Sequence, residues 1–86
     1  MQNLQIVREQ IDKIDDALID LFEKRFAKVQ EIGKIKKEQH IPTKDEKRET
    51  EKMNVVTQKG TAKGMSKEFI VQVWNGIFSE SYRLEK

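Results

Sequence analysis

Cations stand in this sequence where a helical seam calls for apolar side chains. From Leu4 onward, apolar residues recur at alternating spacings of three and four: Leu4, Val7, Ile11, Ile14, Leu18, Leu21, Ile32 and Ile35. Arg25 interrupts the series Leu4, Ile11, Leu18, Ile32 at its own sevenfold register. Lys28 interrupts the series Val7, Ile14, Leu21, Ile35 in the same way. Lys36 lies eleven residues beyond Arg25, three helical turns, and so shares roughly its face. A cation on a buried stripe is costly unless it meets an anion.

Two further groups could supply or share such an anion site. Asp45, Arg48, Glu49 and Lys52 are spaced i, i+3, i+4, i+7 and fall on one helix face. Ser81 and Glu85, one turn apart, continue the side marked by Ile70, Trp74 and Ile77. Each group also has an ordinary reading. The first helix could fray into solvent after Phe22, with Lys28 and Lys36 snorkelling. The charged face around Arg48 could be solvated and stitched by weak ion pairs. The turns holding Ser81 and Glu85 could have left the core. Arg8, at the edge of the seam, and His40, in a break between helices, are unremarkable singly. Together these positions would bring three or four cations, three carboxylates and a hydroxyl from three helices to one place. That describes a pocket for a small, multiply charged anion bearing hydroxyl groups.

The elements that must hold these residues are helices. With four Gly and one Pro among 86 residues there is little turn material, which points away from an all-β fold. The length argues for one domain spanning residues 1–86. We read a first helix from about Asn3, its N-cap, to about Gln39, ended by Pro42. Gly33 within it costs only some helix propensity. A second helix should start near Thr43 or Lys44, with Thr43 and Glu46 as a capping box, and run to about Lys59. Gly60 and Gly64 would then bracket a loop. A third helix runs from the N-cap Ser66 to near the C-terminus, with Phe69, Ile70, Val73, Trp74, Ile77, Phe78 and Leu84 on its apolar side. A first helix of this length measures roughly 54 Å, whereas a compact domain of this size has a radius of gyration of about 12 Å. Its seam therefore overhangs anything one chain can build, and a second copy is the simplest partner.

Composition excludes several classes. The chain has no Cys and one His, so no disulfide framework, thiolate site or zinc site is expected. The 17 basic and 15 acidic residues leave a net charge of +2, which predicts no general attraction to nucleic acid. Charges interrupt every apolar run near the start, unlike a signal peptide, and no stretch approaches membrane-spanning length. A cytoplasmic protein is expected.

The run V-R-E-Q-I-D-K-I-D-D-A-L-I-D-L-F-E-K-R, then I-G-K-I-K-K, then I-P-T-K-D-E-K-R-E, resembles the all-helical chorismate mutases of the AroQ class. The block P-x-x-D-x-x-R-E, at its distance from a lysine late in the first helix, is the more specific part. The resemblance covers nearly the whole chain, the third helix more loosely. It implies a three-helix, all-α chain with a very long first helix, intertwined as a homodimer. It also implies the rearrangement of chorismate to prephenate, with no metal or cofactor. Arg8 of the partner and Arg25 would bind the substrate's two carboxylates. Lys36 would reach the ether oxygen and a neighbouring carboxylate. Asp45 and Glu49 would take up the ring hydroxyl, Arg48 would support that face, and Ser81 would add a hydrogen bond near a carboxylate. Ile32 and Phe78 would form apolar walls. The rise per residue supports donation across an interface: seventeen residues separate Arg8 from Arg25, about 25 Å along one helix, too far to hold one small molecule from the same chain.

The [3,3] rearrangement needs no nucleophile. It needs a flexible dianion held compactly, which two guanidinium groups can do bidentately. It also needs charge developing on the ether oxygen stabilised by a preorganised cation. Where many bacterial members of the class have Gln on the last helix, this chain has Glu85. An ionised Glu85 cannot donate a hydrogen bond to the ether oxygen and a protonated one can, so activity rising toward acid pH is expected. Alternative readings are an isochorismate pyruvate lyase on the same scaffold and a weakly active chorismate- or prephenate-binding regulatory domain partnering another shikimate-pathway enzyme. A pure interaction module ranks below these. The initial Met and the complete three-helix length suggest a free-standing chain, though an excised domain would look the same.

Overall fold

The computed structural model describes residues 3–86. Three helices account for nearly all of them: α1 (Leu4–Glu38), α2 (Glu46–Ala62) and α3 (Lys67–Glu85), with no strand among the described residues. Asn3 caps α1 as its side-chain type predicts, accepting from the Gln5 N–H at 2.8 Å. Ser66 does the same for α3, accepting from the Phe69 N–H at 3.2 Å.

The second helix corrects the sequence reading. Its N-cap is Asp45 rather than Thr43, with Asp45 Oδ1 accepting from the Arg48 N–H at 3.0 Å. The displacement has a tertiary cause. The Thr43 carbonyl accepts a 2.7 Å hydrogen bond from Lys36 Nζ, and the Asp45 N–H donates to the Tyr82 hydroxyl at 3.2 Å. Both ties hold residues 43–45 outside the helix. The far end is also longer than expected: Gly60 lies within α2, which runs on to Ala62.

Both interhelical turns close in the same way. After α1, the Ile41 N–H reaches the Lys36 carbonyl at 2.8 Å and the His40 N–H reaches that of Lys37 at 3.3 Å. After α2, Met65 N–H to Gly60 carbonyl and Gly64 N–H to Thr61 carbonyl repeat the pattern, each at 3.0 Å. This is the Schellman arrangement, which requires a left-handed residue just past the helix. Gly64 takes it at φ 89°, and His40 takes it at φ 56° despite its Cβ. The chain thus leaves α1 before Pro42 is reached.

α3 packs against both α1 and α2, whose backbones stay apart. The small core comprises Val29, Val56, Ile70 and Ile77. Gly33 is the point of closest approach between α1 and α3. A Cβ there would fall 2.8 Å from the Glu85 carbonyl oxygen and 2.9 Å from its Cα, so only glycine admits the last turn of α3. The molecule extends 59 × 24 × 14 Å with a radius of gyration of 16.4 Å, well above the compact value. The N-terminal half of α1 accounts for this elongation. There the apolar seam faces solvent, with Ile14 60% and Leu21 59% exposed.

Candidate active site

α1 does not fray after Phe22; it continues for four more turns and carries Arg25 and Lys36 to the junction with α3 and the start of α2. A cavity of about 300 Å³ opens there. Of the residues singled out by pattern and resemblance, Arg25, Lys36, Asp45, Arg48, Glu49, Ser81 and Glu85 line it, as do Ile32 and Phe78. Arg8 does not. It lies exposed on the outer half of α1, far from its own chain's cavity. Lys28 is also outside, solvent-exposed and paired with Glu31 at 3.0 Å.

The deepest group is Glu85. Its side chain is 6% exposed and its Oε1 lies 2.6 Å from Lys36 Nζ, itself 16% exposed. Glu85 is therefore a buried, fixed part of the site rather than a frayed terminus. Lys36 Nζ donates to the Thr43 carbonyl at 2.7 Å, whereas its contact with Glu85 is an ion pair, and Glu85 Oε1 has no hydrogen-bond partner among the described residues. Further Lys36 N–H donors remain for a ligand in the cavity. Loss of either member of the pair would leave the other charge buried and uncompensated, a cost of about 3–5 kcal/mol.

Arg25 is oriented by Ser81. Its Nη1 donates to Ser81 Oγ at 3.1 Å, and the Ser81 hydroxyl donates in turn to the Ile77 carbonyl at 2.7 Å. A hydroxyl has one proton, so Ser81 is committed as an acceptor toward Arg25. Burial and the neighbouring Arg48 guanidinium lower the Arg25 pKa below the ordinary arginine value. Lys52 is similarly lowered by burial, then by Arg48, Arg25 and Lys59. Like charges thus crowd one wall of the cavity.

Three lining residues carried no expected role: the core residue Val29, Lys52 and Tyr82. Lys52 belongs to the charged face read from the α2 sequence, yet nothing there marked it apart from its neighbours. Tyr82 follows Ser81 and left no periodic signal. Its hydroxyl accepts from the Asp45 N–H, and its pKa is raised, chiefly by burial and further by the Glu49 carboxylate. Tyr82 thereby pins the α2 N-terminus to α3. Glu49 lies 4.0 Å from Lys44, the outermost ion pair of the group.

A half-closed cavity with four cations and three carboxylates suits binding and electrostatic steering of a small organic anion. Fold and site together define an all-helical domain with a charged cavity at the junction of its three helices. The comparisons give the family. The model of chorismate mutase type II matches residues 7–86, and the chain belongs to that family, isomerases of aromatic amino acid biosynthesis. Among curated proteins it resembles the T-protein of Enterobacter agglomerans, with 33% identity over 82 residues, 95% of this chain and 22% of that protein. The T-protein of Haemophilus influenzae is 32% identical over 85 residues, 99% of this chain and again 22% of the relative. The chain thus spans about a fifth of the length of these relatives.

Proposed function

We propose that the chain is a chorismate mutase, converting chorismate to prephenate within the cavity bounded by α1, α2 and α3. The observation that carries this reading is the convergence of Arg25, Lys36, Arg48 and Glu85 on one cavity in a chain of this family. In the reaction, Arg25, held by Ser81, grips one carboxylate of the dianion. A free N–H of Lys36 meets the ether oxygen as the C–O bond breaks. A preorganised donor of this kind contributes about 3–4 kcal/mol to the transition state. Glu49 and the Asp45 region receive the ring hydroxyl, while Ile32 and Phe78 exclude water.

The second carboxylate is assigned to Arg8 of the partner in an intertwined homodimer, one domain per chain over residues 1–86. Charge and shape support this pairing. A groove of about 630 Å³, lined by Phe22, Val56, Phe69, Ile70, Val73 and Trp74, runs beside the site and is rimmed by Lys52, Lys59 and Lys63. The exposed half of α1 offers the complement, an apolar seam flanked by Glu9, Asp12, Asp15, Asp16, Asp20 and Glu23. The Trp74 indole N–H is buried in that groove with no acceptor among the described residues, and a second chain could supply one. No helix of the described residues is long and apolar enough to cross a membrane, and we assign the protein to the cytoplasm.

The test is the disappearance of chorismate with purified protein at neutral and mildly acid pH. Turnover to prephenate is expected, and Glu85→Gln, which places a hydrogen-bond donor beside the ether oxygen at every pH, should change its pH profile. An unchanged profile removes Glu85 from the chemistry. No turnover at either pH, with pyruvate released from isochorismate instead, would replace the mutase reading by a lyase.

A further inference from the structure

The cavity holds more positive charge than the assigned roles use. None of the ion pairs among the described residues involves Arg25, Arg48 or Lys52. Lys36, by contrast, has Glu85, and Lys44 has Glu49. Three cations from α1 and α2 therefore line the cavity without forming an ion pair among the described residues, although Asp45 and Glu49 line it too. Lys52 is half-buried, and it lines both the charged cavity and the apolar groove beside it. A lysine free to choose would swing its ammonium into water, away from two guanidinium groups. Its depressed basicity reflects burial first and then the proximity of Arg48 and Arg25.

We propose that Lys52 is a further substrate-binding residue, an ammonium that contacts a carboxylate of the dianion at the mouth of the cavity. The inference rests on the mutase reading for the identity of that dianion. Charge balance supports it. Four cations and three carboxylates line the cavity, so Lys52 alone changes the lining from neutral to +1. The partner's Arg8 would bring it to +2, the complement of a dicarboxylate. A ligand carboxylate would also relieve the repulsion among Lys52, Arg25 and Arg48, so the three sites should favour the anion together.

The role differs in kind from that of Lys36. Negative charge develops on the ether oxygen during the rearrangement, whereas each carboxylate carries the same charge before and after. A contact to a carboxylate stabilises ground state and transition state alike, and its loss appears in KM rather than kcat.

The experiment is steady-state kinetics of Lys52→Gln and Lys52→Arg on chorismate beside the unaltered chain, with sedimentation and thermal unfolding of each. Glutamine keeps helix propensity and a polar head while removing the charge. Lys52→Gln should raise KM by about ten- to a hundredfold, the range for a hydrogen bond to a charged group. Its kcat should stay within about threefold, with Tm and sedimentation unchanged, and Lys52→Arg should recover most of the lost affinity. An unaltered chain that turns over chorismate while Lys52→Gln keeps its KM would overturn the assignment and leave the mutase reading standing. A fall in kcat with KM unchanged, or a KM change accompanied by altered sedimentation, would also overturn it. No turnover by the unaltered chain would instead overturn the mutase reading, and with it the dianion to which Lys52 is assigned.

Discussion

The two halves of α1 invert the usual relation between residue type and environment. In its outer half, Leu4, Ile11, Ile14, Leu18 and Leu21 repeat as a core seam should, yet each is exposed. In its inner half, where Val29 and Gly33 are buried, Arg25 and Lys36 are half-buried beside Glu85 and Ser81, both buried, while Lys28 and Ile32 stay exposed. One explanation serves both. Apolar residues left in water mark a surface awaiting a partner, and charges taken out of water mark a site awaiting a ligand. In the proposed dimer, the outer half serves assembly and the inner half chemistry. They meet at Arg25, which lines both the charged cavity and the apolar groove.

The comparison can be broken most severely at its chemical end. Lys36→Met should lower kcat by about a thousandfold or more, since it removes the donor to the ether oxygen and leaves Glu85 buried without its partner. Measured kcat within tenfold of the unaltered value would place the chemistry elsewhere. At the assembly end, Leu18→Asp puts a charge into the apolar groove lining and should dissociate the proposed dimer. Sedimentation should then show monomer at concentrations where the unaltered chain is dimeric, with activity lost in parallel. A monomer that kept its activity would separate the two halves.

Smaller effects sharpen the junction. Gly33→Ala forces a methyl against the Glu85 backbone and should cost about 1–3 kcal/mol of stability, read by denaturant unfolding. Activity should fall further than stability implies, because the displaced turn carries Glu85 away from Lys36. The smallest change concerns the turn between α1 and α2. His40→Gly removes the left-handed strain of a Cβ-bearing residue at φ 56° and should stabilise the chain by about 1 kcal/mol with kinetics unchanged.

Much of the fold is legible in the sequence because α1 and α3 have strong periodicity and good caps at Asn3 and Ser66. Arg25 is legible as a site residue because it breaks a pattern that its neighbours establish, but Lys28 breaks the companion pattern and lies outside the cavity, and Lys36 is marked only by its place three turns beyond Arg25. Where no pattern exists to break, the signal fails. Lys52 sits among Asp45, Arg48 and Glu49 on a face that reads equally well as solvated. Tyr82 lies about 100° around the helix from Ser81 and shares no stripe with it. The Thr43 carbonyl acts through the backbone, which side-chain type does not report. The start of α2 shifted from Thr43 to Asp45 because Lys36 and Tyr82 grip the preceding residues from other helices. Local capping propensity carries no trace of such contacts. Gly33 read as a small propensity cost, and its function emerged only with the approach of Glu85.

The central claim is that the cavity of one chain is completed by Arg8 of another, and complementation between two inactive variants tests it most directly. Arg8→Ala and Lys36→Met, each inactive alone, would be unfolded, mixed in equal amounts and refolded together. A mixed dimer then has one site lacking both groups and one site intact. With random pairing, about a quarter of the sites should be restored and chorismate turnover should recover to that level. Mixed dimers that form, as read by mass spectrometry, yet stay inactive would contradict the account.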